Sequence, residues 1–257
     1  MALFLDGPAV TVDRLTEYDS NVLSVAAAEG INLTTKILIA QEAMHLEIVR
    51  LLRRGEFNDN NTLALQTRGI DNVVWSKAML VWQVYRSLAL IYRDAYYSQL
   101  NDRHQARAKE YETLANSARR ELVEYGLGLV TAPMKQPPQP VGELVAATET
   151  GGTFYFSVGY TNDSGQESSP SSVLSVEVAD GNAVDLTLST SPATGATGWN
   201  VYAGTVPENL FRQNDNPLPL TSDWAYLPSL ALTTGARPGI GQAPDRHWPL
   251  HRFLQRG

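Results

Sequence analysis

Four histidines, a scatter of carboxylates and five tryptophans are the residues of this 257-residue chain whose types could support chemistry. His45 follows Glu42 by three positions, a step that places carboxylate and imidazole on one helical face. Carboxylate-bridged di-iron sites use two such Glu-x-x-His steps with further inward glutamates. Only one occurs here, so no metal site is expected. Glu42, Glu47, Asp94, Glu110 and Glu121 are spread over different turns and read as solvated helix faces rather than an acid–base pair. No Gly-x-Ser-x-Gly elbow is present, and Gly239-Ile240-Gly241 does not stand between a strand and a helix. His104, His247 and His251 have no nucleophile and orienting group that can be named with them. The expectation is a protein that is not an enzyme and holds no cofactor.

Binding chemistry is easier to find. The last residues contain Arg246, Trp248, Leu250, Phe253 and Leu254, with prolines and further arginines between them. Aromatic and arginine side chains concentrate binding energy at interfaces, so these five are the candidate partner-binding residues. Trp75 and Trp82 fit a helical core and Trp199 a strand core. Asn60-Asn61-Thr62 and Asn162-Asp163-Ser164 match the glycosylation pattern but read as turns without a secretion signal.

The elements that must position these residues divide sharply. Leu33, Ile37, Ala40, Met44, Ile48 and Leu51 recur at helical spacing up to Arg54, with Asn32 as cap and Gly55 as stop. Val12 to Glu29 reads as helix broken near Asp19–Asn21 and ended by Gly30. Ile70 to Tyr125 reads as two long helices joined near Leu100–Asp102, with Asp71 and Asp102 as N-caps and Gly126 as the stop. Four helices with short connections suggest a small bundle over residues 1–132. Pro133 to Pro140 reads as a stiff linker. From Gly142 the helical period is gone. Leu144–Thr148, Thr153–Thr161, Val173–Val178, Ala183–Leu188 and Gly198–Ala203 read as short strands, with Leu210–Gln213 and Trp224–Leu227 as further ones. They suggest a β-sandwich over 141–235, followed by an extended arm, 236–257. The fold class is therefore α+β and multidomain.

Charge follows the same division. Residues 1–132 carry 14 Lys+Arg against 16 Asp+Glu, whereas 141–235 carry Arg212 alone against ten acids, within a formal net charge of −7. An acidic β-module disfavours direct nucleic-acid binding, because Lys and Arg supply phosphate contacts. Absence of cysteine excludes a disulfide framework and thiolate zinc. No window reaches the roughly 20 apolar residues of a membrane span.

Two stretches carry a resemblance. Tyr18-Asp19-Ser20 through Val25-Ala26, then Glu29-Gly30-Ile31 and the helix from Leu33, together with the following hairpin, resemble the head–tail connector (adaptor, or head-completion) proteins beneath the portal of tailed phages. Thr153 to Tyr160, the turn Thr161 to Pro170, and Gly195 to Gly204 with Trp199 resemble the fibronectin-III/Ig-like modules of phage structural proteins. The resemblance implies a virion protein of the phage neck, assembled in the host cytoplasm. It implies a homo-oligomeric ring, dodecameric to match the portal, that surrounds a channel through which DNA passes without sequence-specific contact. Its partners would be the portal and tail-side neck or tail proteins, and not a membrane. The C-terminal segment would dock on the portal through the five residues named above. An alternative is a fibre- or baseplate-type component that binds carbohydrate or another surface through exposed aromatics on the β-module.

Overall fold

A computed structural model describes residues 2–56, 69–99, 102–147, 150–188, 195–225 and 232–248. The protein is mixed α+β, with helices and antiparallel sheets in two compact units. Gly7–Thr131 and Pro244–Gly257 form one; Met1–Asp6 and Ala132–Ala243 form the other. Composition divides the chain at 132, 140 and 235; the compact units divide it after 6, 131 and 243.

In the helical unit, α1 (Val12–Tyr18) and α2 (Val22–Glu29) are separated by three residues, α3 spans Leu33–Glu56, α4 Lys77–Gln99 and α5 Asp102–Tyr125. The Thr11 hydroxyl accepts from the Arg14 N–H and starts α1. Gly30 ends α2 at φ +64°, a left-handed conformation that costs glycine little. Asn32 Oδ1 accepts from the Thr35 N–H and caps α3. Three sequence expectations are corrected. α3 runs through Gly55 instead of stopping there, because one glycine weakens a helix without forbidding it. Asp71 lies in a 3-10 turn, Ile70–Asn72, and α4 begins six residues later behind Ser76, whose hydroxyl accepts from the Met79 N–H. Asp102 is the first helical residue of α5 rather than its cap.

α4 is buried on most sides. Val84, Leu88, Ile91 and Tyr92 join Leu15, Val22, Ala26 and Ile37 in one core with Tyr111 of α5. Tyr85 stacks on Tyr111 at 6.2 Å and Tyr92 meets His104 at 6.0 Å, so residue numbers rise on α4 as they fall on α5 and the pair is antiparallel. Ion pairs join α3 to both neighbours, Lys36 to Asp94 and Glu47 to Arg119.

The break between α1 and α2 is held by Asp19. Its Oδ1 accepts from the Asn21 N–H at 2.9 Å, and its Oδ2 accepts from the hydroxyls of Tyr92 and Tyr111. Burial pushes the Asp19 carboxyl up. The two tyrosine hydroxyls, the Asn21 N–H and the positive charge of Arg107 more than offset this, and it stands below its ordinary value. Both tyrosines are pushed well above theirs by burial and by the carboxylate they serve.

In the other unit, β2 (Val141–Ala146), β3 (Gly152–Thr161), β4 (Leu174–Val178), β5 (Asn182–Thr187), β6 (Gly198–Gly204), β7 (Phe211–Arg212), β8 (Leu218–Pro219) and β9 (Trp224–Ala225) make two antiparallel sheets. One has the order β2-β5-β9, the other β4-β3-β6-β7 with β8 also on β6. Alternate residues of β3 (Phe156, Val158, Tyr160) and of β6 (Trp199, Val201, Ala203) face a core shared with Val184 and Leu186 of β5. The other face of β6 is also covered. Asn200 and the Tyr202 hydroxyl donate to Glu167 Oε1, and a Cβ on Gly159 of the paired strand would lie 2.5 Å from that oxygen. A methyl there would have to displace the Glu167 carboxylate from Asn200 and Tyr202. The proline-rich stretch expected as a linker is laid down on this unit. Met134 is fully buried, Gln136 donates to Pro170 O at 2.5 Å, and Gln139 donates to Val173 O at 2.7 Å. Asp6 receives the Leu3 and Gln136 N–H groups, and burial pushes its carboxyl above its ordinary value.

Candidate partner-binding surface

Gly126 ends α5 at φ +87°, its N–H still bonded to Leu122 O, and releases the apolar run Leu127-Gly128-Leu129-Val130. Leu127–Leu129 forms β1, and an apolar strand of that kind needs partners on both edges. On one edge the Val74 N–H donates to Gly128 O, the Val130 N–H to Asn72 O, and the Asn72 side chain to Val130 O at 2.8 Å. On the other edge lies β10, Arg246–His247–Trp248, antiparallel with Trp248 opposite Leu127 and Arg246 opposite Leu129. Asp245 fixes the register: its N–H donates to Leu129 O, and its carboxylate accepts the Thr131 N–H at 2.7 Å. A Cβ on Gly128 would stand 3.1 Å from both Pro244 and Val74, so glycine lets the three segments close up.

Residues 236–248, expected as part of an extended arm, are thus fixed along their length. The Arg212 N–H donates to Ala236 O, Gln242 donates to Ala132 O and accepts from the Met134 N–H, and β10 belongs to the helical unit. Of the five candidate residues, the structure brings Arg246 and Trp248 together. Both are half-buried and, two apart on a strand, share one face, while His247 points the other way and is exposed. Leu250, Phe253 and Leu254 lie outside the described residues.

Beside β10 is a crevice of about 540 Å³ lined by Ser76, Lys77, Ala78 and Val81 at the start of α4, Glu121 and Tyr125 near the end of α5, and His247. Its lining is mainly apolar and includes both signs of charge. No family model, curated protein or solved structure matches the chain.

Chemistry elsewhere is sparse. Glu42 is exposed and His45 half-buried on the outer side of α3. No group of three or more His, Asp or Glu side chains is placed to hold a metal among the described residues. No single helix among them is long and apolar enough to cross a membrane.

Sequence reasoning passed over two features. One is β10 itself, three residues between prolines with no visible alternation; the unpaired apolar run after Gly126 was the signal for it. The other is a set of exposed apolar side chains on the helical unit. Leu38, Ile39 and Leu46 of α3 and Leu23 of α2 are exposed, Leu46 to 62%. They stand outside the buried stripe that the 3–4 spacing identifies.

Proposed function

We propose that this chain is a non-enzymatic structural protein of a tailed-phage neck, which forms a homo-oligomeric ring beneath the portal and connects head to tail around the DNA channel. The observation that carries the reading is the anchorage of β10. A docking arm needs a fixed root, and nine further residues follow Trp248, among them Leu250, Phe253 and Leu254 with Arg252 and Arg256. Half-buried Arg246 and Trp248 sit at that root, and aromatic and arginine anchors of this kind dominate interface energetics. The exposed apolar side chains of α2 and α3, Leu23, Leu38, Ile39 and Leu46, support lateral packing of helical units, which we take as a small bundle. The β-unit is read as an Ig/fibronectin-III-like sandwich that serves as an interaction module. The carbohydrate-binding alternative has less support, because Phe156, Tyr160, Trp199 and Tyr202 are all buried and offer no aromatic platform.

Electron microscopy of the purified protein, alone and mixed with the portal of the same virion, tests the proposal. Rings stacked on the portal, lost when residues 249–257 are removed, are expected. A persistent monomer with no portal affinity would overturn the reading.

A further inference from the structure

Three helices of the helical unit converge on a small, half-open crevice, separate from the surface beside β10. Ala43 and Glu47 of α3, Trp82 and Arg86 of α4, and Asn116 and Arg119 of α5 line it. On each helix the two residues are three or four apart and therefore share a face. The volume is about 180 Å³, well below the roughly 300–1,000 Å³ of pockets for drug-sized ligands.

Its charges do not balance. Glu47 is the one carboxylate lining it, and that carboxylate is already engaged by Arg119, with Arg50 a further 3.8 Å contact. Arg86 is half-buried and makes no ion pair or hydrogen bond among the described residues. The exposed Asn116 side chain makes no hydrogen bond among the described residues, while its backbone carbonyl accepts from Arg120. Two guanidiniums, Arg86 and Arg119, thus line the crevice with one carboxylate, beside the largely buried Trp82. Partial enclosure strengthens any electrostatic contact made there. A guanidinium presents a planar fork of donors that matches an oxyanion in bidentate fashion.

We propose that this three-helix crevice binds a phosphate-sized oxyanion, with Arg86 as the principal ligand and the Asn116 amide and Arg119 as further donors. The inference rests on the helical unit alone and is independent of the neck reading. The anion is either free or the terminal phosphoryl group of a small ester.

The test uses the full chain at constant ionic strength, titrated with inorganic phosphate and followed by thermal unfolding and calorimetry. Saturable binding that raises the unfolding midpoint is expected, since a ligand of the native state alone stabilises it. Arg86→Gln should weaken binding about tenfold or more, the loss expected for hydrogen bonds to a charged group. Arg93→Gln, at an exposed position on the same helix, should leave binding unchanged. Should Arg86→Gln fail to fold, Asn116→Asp places a negative charge at an exposed position of similar size and should abolish binding. Glycerol 2-phosphate binding as tightly as phosphate would assign the site to phosphoryl esters; its exclusion would assign the free ion. No saturable phosphate effect in the wild type, or an equal effect in Arg86→Gln or Asn116→Asp, would overturn the proposal.

Discussion

The Tyr92 hydroxyl donates to Asp19 Oδ2 at 2.6 Å, across 73 residues of sequence, and ties the α1–α2 break to the central helix α4. Tyr111 donates to the same oxygen at 2.7 Å and ties in α5. One carboxylate oxygen thus joins three parts of the helical unit.

Tyr92→Phe and Tyr111→Phe should each destabilise the helical unit by about 1.5–3 kcal/mol, the range for a hydrogen bond to a charged group. The double variant should depart from additivity, because both hydroxyls serve one acceptor. Denaturant unfolding of the four members of the cycle measures this. A double variant equal to the sum of the singles would refute a shared network.

Acid should act oppositely on the two units. The Asp19 carboxyl is held below its ordinary value, so its stabilisation is present above about pH 4 and is lost as pH falls through its lowered folded value. Asp6 is raised, so its contribution is present below about pH 4 and is lost as pH rises through its raised folded value. Acidification should therefore reduce far-ultraviolet helical dichroism before the β-unit unfolds, and Asp19→Asn should blunt the acid dependence of the helical transition. Simultaneous loss of both units with an unchanged profile in Asp19→Asn would contradict this.

Gly159→Ala should cost the β-unit about 1–3 kcal/mol, the range for overpacking, because the new methyl would meet Glu167 Oε1 at 2.5 Å. Shortening Glu167 to Asp in the same chain should recover part of the loss. Thermal unfolding of the three proteins shows whether it does.

Two truncations should separate anchorage from docking. Removal of 249–257 is the reference against which the longer truncation is compared. Removal of 246–257 strips the partner strand from Leu127 and Leu129, both fully buried. Burial of such a side chain contributes about 1.5–3 kcal/mol, so the midpoint of the longer truncation should fall and the protein should become prone to association. Equal midpoints would mean that β10 contributes nothing to the unit.

Long periodic segments made much of the fold legible. The stripe Leu33, Ile37, Ala40, Met44, Ile48 is buried as its spacing requires, and the alternation of β3 and β6 places Phe156, Val158, Trp199 and Val201 in one core. The break at Asp19–Asn21 was visible from polar residues, but its cause was not, because Tyr92 and Tyr111 are too distant in sequence for local patterning to connect. Composition read the prolines of 133–140 correctly as non-helical. It could not show that Met134 and Gln136 find partners near residues 242 and 170. Of the candidate binding residues, Arg246 and Trp248 were identifiable by type. Their shared face was not, because a three-residue strand has too short a pattern to declare itself and acquires its conformation from β1. The Arg86 crevice was invisible for a related reason: its lining comes from three helices, and the lack of a counter-charge is a property of space rather than of sequence.

The strand that completes the helical unit follows the β-unit in sequence, and Met1–Asp6, which precedes the helices, belongs to the β-unit. During synthesis, Leu3 and Phe4 emerge long before the residues of 132–243 with which they belong. The edge of β1 stays open until Arg246–Trp248 leave the ribosome. The helical unit is therefore completed only after the whole of the β-unit's chain, residues 132–243, has been made.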